Sequence, residues 1–66
     1  MKVQFDRKSD AIYFRLDDSK IIESEEVNPG IILDFNAKKQ VVGVEILNVK
    51  GRVPEASLTE MKFEVA

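Results

Sequence analysis

The sequence predicts a small α+β domain: an antiparallel β-meander of about five strands, then a short C-terminal helix and a possible final strand. Three observations predict it. Between Val3 and Val49 the chain alternates apolar and polar residues two by two, the pattern of half-buried strands, whose successive side chains point to opposite faces. Short clusters of turn formers separate the alternating runs, among them Asn28-Pro29-Gly30, so consecutive runs pair as antiparallel neighbours. Beyond Lys50 the alternation gives way to Pro54-Glu55, a pair suited to the first turn of a helix.

Lys2 to Phe5 reads as the first strand, with Val3 and Phe5 on one face. Asp6-Arg7-Lys8-Ser9-Asp10 follows as a turn whose short side chains hydrogen-bond nearby backbone. Ala11 to Leu16, rich in β-branched and aromatic residues, is the second strand, and Asp17-Asp18-Ser19 a hairpin loop. Lys20 to Val27 is a polar third strand; its Glu23, Glu25 and Glu26 are charges that keep an edge from pairing with another sheet. At Asn28-Pro29-Gly30, proline presets φ at the second turn position and glycine accepts a positive φ at the third, which makes a type II turn. Ile31 to Phe35 is the fourth strand and Asn36-Ala37-Lys38-Lys39 the next loop, before a fifth strand from Gln40 to Val49 broken once by Gly43. Glu55 to Glu60 supplies about one and a half helical turns. Met61 to Val65 alternates again as a strand, whereas a longer helix through Val65 would align Leu58, Met61 and Val65. With no repeat, low-complexity stretch or linker, residues 1–66 read as a single domain.

Composition narrows the function classes. The chain is 44% apolar and 33% charged, which is globular rather than disordered. It has no histidine and no cysteine, so the commonest general base, the commonest metal ligand and the thiol nucleophile are missing. Disulfides are excluded and a zinc site lacks its preferred ligands, so no cofactor is expected. Asp6, Asp10, Asp17 and Asp18 offer carboxylates of the kind calcium prefers, but their spacing is not that of an EF-hand loop and turn formation explains them. The net charge is −2, with the basic residues scattered: Lys38-Lys39 in one loop and Lys50 with Arg52 in another do not make a phosphate-binding face. Nucleic acid is not an expected partner. Met1-Lys2 leads straight into a strand pattern with no apolar run long enough for a signal peptide or membrane span, so the expected location is cytoplasmic. A chain this short buries only about 60% of its unfolded surface, and association is the remaining way to stabilise it.

Parity divides the sheet into two faces. Val3, Phe5, Ile12, Phe14, Leu16, Ile31, Leu33, Phe35, Val42, Val44 and Ile46 fall on one, and read as the core. Ala11, Tyr13, Arg15, Ile32, Asp34, Val41, Gly43, Glu45 and Leu47 fall on the other, a mixed face whose apolar members point to an interaction surface. On it, Tyr13, Arg15, Asp34 and Glu45 are expected to line a shallow groove over Gly43, where the missing side chain permits close approach. Arg15 could pair with Asp34 or Glu45, and Tyr13 could shield the glycine. The plainer account of the same residues is a cross-strand ion pair with an aromatic cover. A single sheet of this size seldom encloses a deep pocket, so the chain is read as not an enzyme.

Asp6-x-x-x-Asp10-Ala11-Ile12-Tyr13-Phe14-x-Leu16, then Val27, Gly30, Asp34 and Val41-Val42-Gly43-Val44-Glu45-Ile46-Leu47, resemble the small prokaryotic proteins of domain-of-unknown-function family 2283 (YuzE-like). The resemblance covers about residues 3 to 49. The family carries no established activity and no agreed catalytic residues, so it implies neither. Some members resemble the antitoxin half of toxin–antitoxin pairs, being encoded beside small toxin-like proteins. The chain departs from the family pattern at Phe5, where tyrosine is usual, and in the Asn36–Lys39 loop, which lacks the usual glycine and so predicts a differently built turn. The expected function is a non-enzymatic module that self-associates, most simply as a homo-oligomeric dimer, through the mixed face or the edge near Glu23–Val27. Its antitoxin-like form covers a small basic partner such as a toxin, by charge complementarity. The alternative is a small-ligand binder or minor enzyme using Tyr13, Arg15, Asp34 and Glu45.

Overall fold

The computed structural model describes residues 1–66, apart from the side chains of residues 55 and 56. Five strands form one antiparallel sheet: β1 (Lys2–Asp6), β2 (Ala11–Arg15), β3 (Glu23–Asn28), β4 (Ile31–Phe35) and β5 (Val41–Leu47). Their lateral order is β1-β2-β5-β4-β3, so the expected meander is corrected. β3, β4 and β5 do meander, but β5 inserts beside β2, giving a Greek-key order. Asp17-Asp18-Ser19 is therefore no hairpin loop. Leu16 N still donates to Val42 O of β5 (2.8 Å), and Ile22 N donates to Phe35 O at the end of β4 (2.8 Å). The residues between carry the chain past the end of the sheet. An extended segment of this length reaches about 20 Å, enough for the roughly 14 Å that separates strands three positions apart.

The turns are built by local side chains. Asp6 Oδ1 accepts from the backbone N of Lys8 (2.9 Å) and Ser9 (3.4 Å), which holds its carboxyl below the usual carboxylate range. Pro29-Gly30 closes β3 onto β4, with Gly30 at φ 78°. Arg52 fastens that turn to β5, its Nε donating to Leu47 O (2.8 Å) and its Nη2 to Pro29 O (3.0 Å). Between β4 and β5, buried Asn36 accepts from Lys38 N (2.9 Å) and Gln40 N (3.0 Å). Lys39 there takes a left-handed φ of 61°, the conformation for which glycine is the default.

After β5 come two short 3-10 helices, Val49–Gly51 and Glu55–Thr59. The expected α-helical segment is thus a 3-10 turn, and Met61–Val65 forms no strand with the sheet. Val49 N donates to Asp10 O (3.2 Å) and Lys50 N to Asp10 Oδ1 (3.1 Å), which ties this end of the chain to the β1–β2 turn. Among the described residues no helix is long and apolar enough to cross a membrane.

The face read as the core is incompletely covered. The buried apolar side chains among the described residues are Ala11, Val42 and Val49. Phe5, Ile12, Phe14, Ile31, Leu33, Phe35, Val44 and Ile46 are only half-buried, while Val3 and Leu16 are 38% and 42% exposed. One sheet has no second layer to bury its apolar side. Over the β1–β2 flank, Val53, Leu58 and Met61 line a cavity of about 230 Å³ together with Val3, Phe5 and Ile12.

Candidate functional site

On the mixed face, the strand register brings all five expected residues together, and hydrogen bonds or close contact join four of them. Gly43 of β5 lies opposite Arg15 on one side and Asp34 on the other. Tyr13 stands diagonally to it, facing Glu45, within cross-strand reach of an aromatic side chain. The Tyr13 hydroxyl passes over the glycine and donates to Asp34 Oδ2 at 2.7 Å. A Cβ on residue 43 would overlap that hydroxyl and come within 2.8 Å of Asp34 Oδ2, so the close approach requires glycine. Arg15 reaches Asp34 through the tyrosine rather than directly. Its Nη1 donates to the Tyr13 hydroxyl (3.4 Å), and its Nη2 donates to the Ser19 carbonyl.

Ser24 completes the set, its Oγ donating to Asp34 Oδ1 at 2.6 Å. Sequence reasoning missed it because of a register shift. Counting back from Pro29-Gly30 as in a regular hairpin places Glu25 opposite Asp34. A bulge between Glu26 and Asn28 moves the register by one, so that Ser24 faces Asp34 and Glu25 faces Leu33. A hydroxyl donor thereby replaces a like charge beside a carboxylate that is only 8% exposed.

The electrostatics follow from this packing. Burial pushes the Tyr13 phenol up from its ordinary value and the negative Asp34 adds to the rise, against the lowering effect of the Arg15 hydrogen bond. The same hydrogen bond, with attraction to Asp18 and Asp34, raises Arg15, which keeps its charge throughout. The result is a neutral phenol between a cation and an anion, each engaged with the next. Among the described residues no buried side-chain nitrogen or oxygen lacks a partner. Chemically the cluster is a clasp across β2, β5, β4 and β3, in which the donors and the carboxylate satisfy one another.

Glu45 stands apart from the clasp. It is half-buried and lines a shallow recess with Gln4, Asp6, Ser9, Ala11 and Tyr13. The other distinctive surface is the apolar face on the opposite side of the sheet. Its residues on β1, β2, β4 and β5 are uncharged, and Glu23 and Glu25 at the β3 edge are placed there by the register.

The model of a protein family described as "Protein of unknown function (DUF2283)" matches residues 2–50. No curated protein and no solved structure matches the chain.

Proposed function

The chain belongs to the DUF2283 family of proteins of unknown function, and from that premise we propose that it is a non-enzymatic interaction module that self-associates through its apolar sheet face. The incompletely buried row Phe14, Leu33, Phe35, Val44 and Ile46 carries the reading. A sheet buries its apolar side against another layer, and a 66-residue chain without cysteine has few other means of stabilisation. A second copy is the matching occupant. Two identical uncharged faces related by a two-fold axis meet without burying an unpaired charge, while Glu23 and Glu25 stay at the rim. The sequence-based choice of the mixed face gives way here to the opposite one, because the mixed face is tied up in the Tyr13–Asp34 clasp.

Sedimentation equilibrium on the pure protein tests this reading. The wild type is expected as a dimer, and Leu33→Glu as a folded monomer by circular dichroism. A wild type that stays monomeric at hundreds of micromolar would refute it. A second, antitoxin-like use is supported by the β3 edge, exposed along its whole length and bearing Glu23, Glu25 and Glu26. An extended segment of a small basic partner could add to that edge by strand pairing. Pull-down with a basic strand-forming peptide, compared between wild type and a Glu23→Lys/Glu25→Lys variant, tests that use.

A further inference from the structure

We infer that β1 is a self-complementary edge, to which a second copy of the chain adds its own β1 in antiparallel register centred on Gln4. The contact goes beyond pairing through the apolar face and does not depend on it. The sheet has two outer strands, β1 and β3, and among the described residues β1 pairs with β2 alone. Residues 48–66 form no strand that could cover its outer side. Lys2, Val3, Gln4 and Asp6 are exposed and Phe5 is half-buried. The outward backbone groups of such an edge are a template for a further strand.

The sequence of β1 selects the partner. Residues directly opposite in an antiparallel pair share a face of the sheet. Centred on Gln4, Lys2 meets Asp6 of the second copy and Val3 meets Phe5, and a two-fold axis through Gln4 repeats both pairs. Lys2, Gln4 and Asp6 stand on the Tyr13 face, Val3 and Phe5 on the apolar face. The two ion pairs therefore fall on one side of the joined sheet and the two apolar pairs on the other. Asp6 accepts from the backbone N of Lys8 and Ser9, which keeps its carboxyl ionised, so the turn itself supplies the charge that Lys2 meets. A slip of one residue sets Lys2 opposite Phe5 or opposite Arg7, so the charges fix the register. The other edge offers no such match. Self-pairing of β3 centred on any residue from Glu23 to Glu26 sets glutamate opposite glutamate, and the bulge before Asn28 breaks its regular line. Five residues a side fall short of the area of a stable interface, so the β1 contact is transient.

Because the chain has no cysteine, single introduced cysteines trap the contact. Directly opposite residues have Cα atoms about 4.5–5.5 Å apart, within disulfide range. In this register the two copies of Lys2 lie about 13 Å apart along the strands. In a glutathione redox buffer, rates are normalised to each thiol's reactivity toward glutathione disulfide. Gln4→Cys is then expected to form a covalent dimer at least fivefold faster than Lys2→Cys or Glu25→Cys. Adding Lys2→Glu to Gln4→Cys should remove most of that advantage while the strand signal in circular dichroism stays. Equal rates in the three variants, or an advantage that survives Lys2→Glu, would overturn the paired edge. So would preferential mixed dimers of Gln4→Cys with Glu25→Cys, which would put β1 against β3 instead. Without any variant, the amide signals of wild-type residues 2–6 should move with protein concentration, and signals that stay fixed would overturn the contact as well. Gln4 and Leu33 lie on opposite faces, so Leu33→Glu should leave the Gln4→Cys cross-link in place whether or not the apolar faces pair. A cross-link lost in that background would overturn the independence of the two contacts.

Discussion

Replacing Gly43 with alanine would drive a Cβ into the Tyr13 hydroxyl and to within 2.8 Å of Asp34 Oδ2. The ring must then leave its place and the buried Asp34 loses a donor. Overpacking and a stranded acceptor together cost about 2–4 kcal/mol, to be read as a lower urea midpoint. Tyr13→Phe removes only the hydroxyl and should cost about 1–3 kcal/mol. The two changes share partners, so in the double variant their costs should fall short of the sum. An additive result would mean that Tyr13 and Gly43 do not depend on each other. Tyr13 also sets a pH dependence. Its phenol is raised in the folded protein, first by burial and then by Asp34, so the native state holds the proton more tightly than the unfolded chain. That contribution is fully present below the ordinary tyrosine pKa of about 10 and is lost as pH rises through the folded value. Thermal melts between pH 9 and 12 should show wild type losing stability more steeply than Tyr13→Phe; parallel curves would remove Tyr13 from the alkaline transition.

The elements differ in how openly the sequence announces them, and β3 shows why. Period-two alternation located β2, β4 and β5 to within a few residues and assigned Tyr13, Asp34 and Gly43 to one face, because parity is a local property of a strand. Lateral order is not local: residues 16–22 suit a hairpin as well as a passage across the sheet end, and only packing selects the latter. The bulge before Asn28 is equally silent, since it changes register without changing composition. It is testable by substitution. Ser24→Ala removes a donor to a buried carboxylate and should cost about 1–2 kcal/mol, whereas Glu25→Ala should lie within about 0.5 kcal/mol of wild type. The reverse ranking would restore the regular register. The loop between β4 and β5 gives a prediction of opposite sign. Lys39 holds φ at 61°, where a residue with a Cβ pays about 1–2 kcal/mol, while glycine pays about 0.5–1 kcal/mol in unfolded-chain entropy. Lys39→Gly should therefore stabilise by up to about 1 kcal/mol, read from chemical denaturation. The missing glycine was legible; that Asn36 would organise the turn in its place was not.

For the molecule as a whole, the proposed pairing through the apolar face would make stability a matter of concentration. If folding is completed by pairing two copies, unfolding converts one dimer into two chains, and mass action adds about 1.4 kcal/mol per dimer for each tenfold rise in protein concentration. Two chains of this length have an unfolding entropy near 0.28 kcal/mol/K on the usual per-residue average. The melting temperature should then climb by about 5 °C per tenfold in concentration. Leu33→Glu, which places a charge at the centre of the paired faces, should abolish the slope and lower the midpoint. Tyr13→Phe, on the other side of the sheet, should lower the midpoint and keep the slope. This contrast separates the two faces by the roles proposed for them: the clasp over Gly43 fixes the strands to one another within a chain, and the apolar face is proposed to join chains. Calorimetry from tens of micromolar to millimolar decides it. A midpoint independent of concentration would show that the open face is tolerated by a monomer, and a slope lost in both variants would show that the clasp too acts through association.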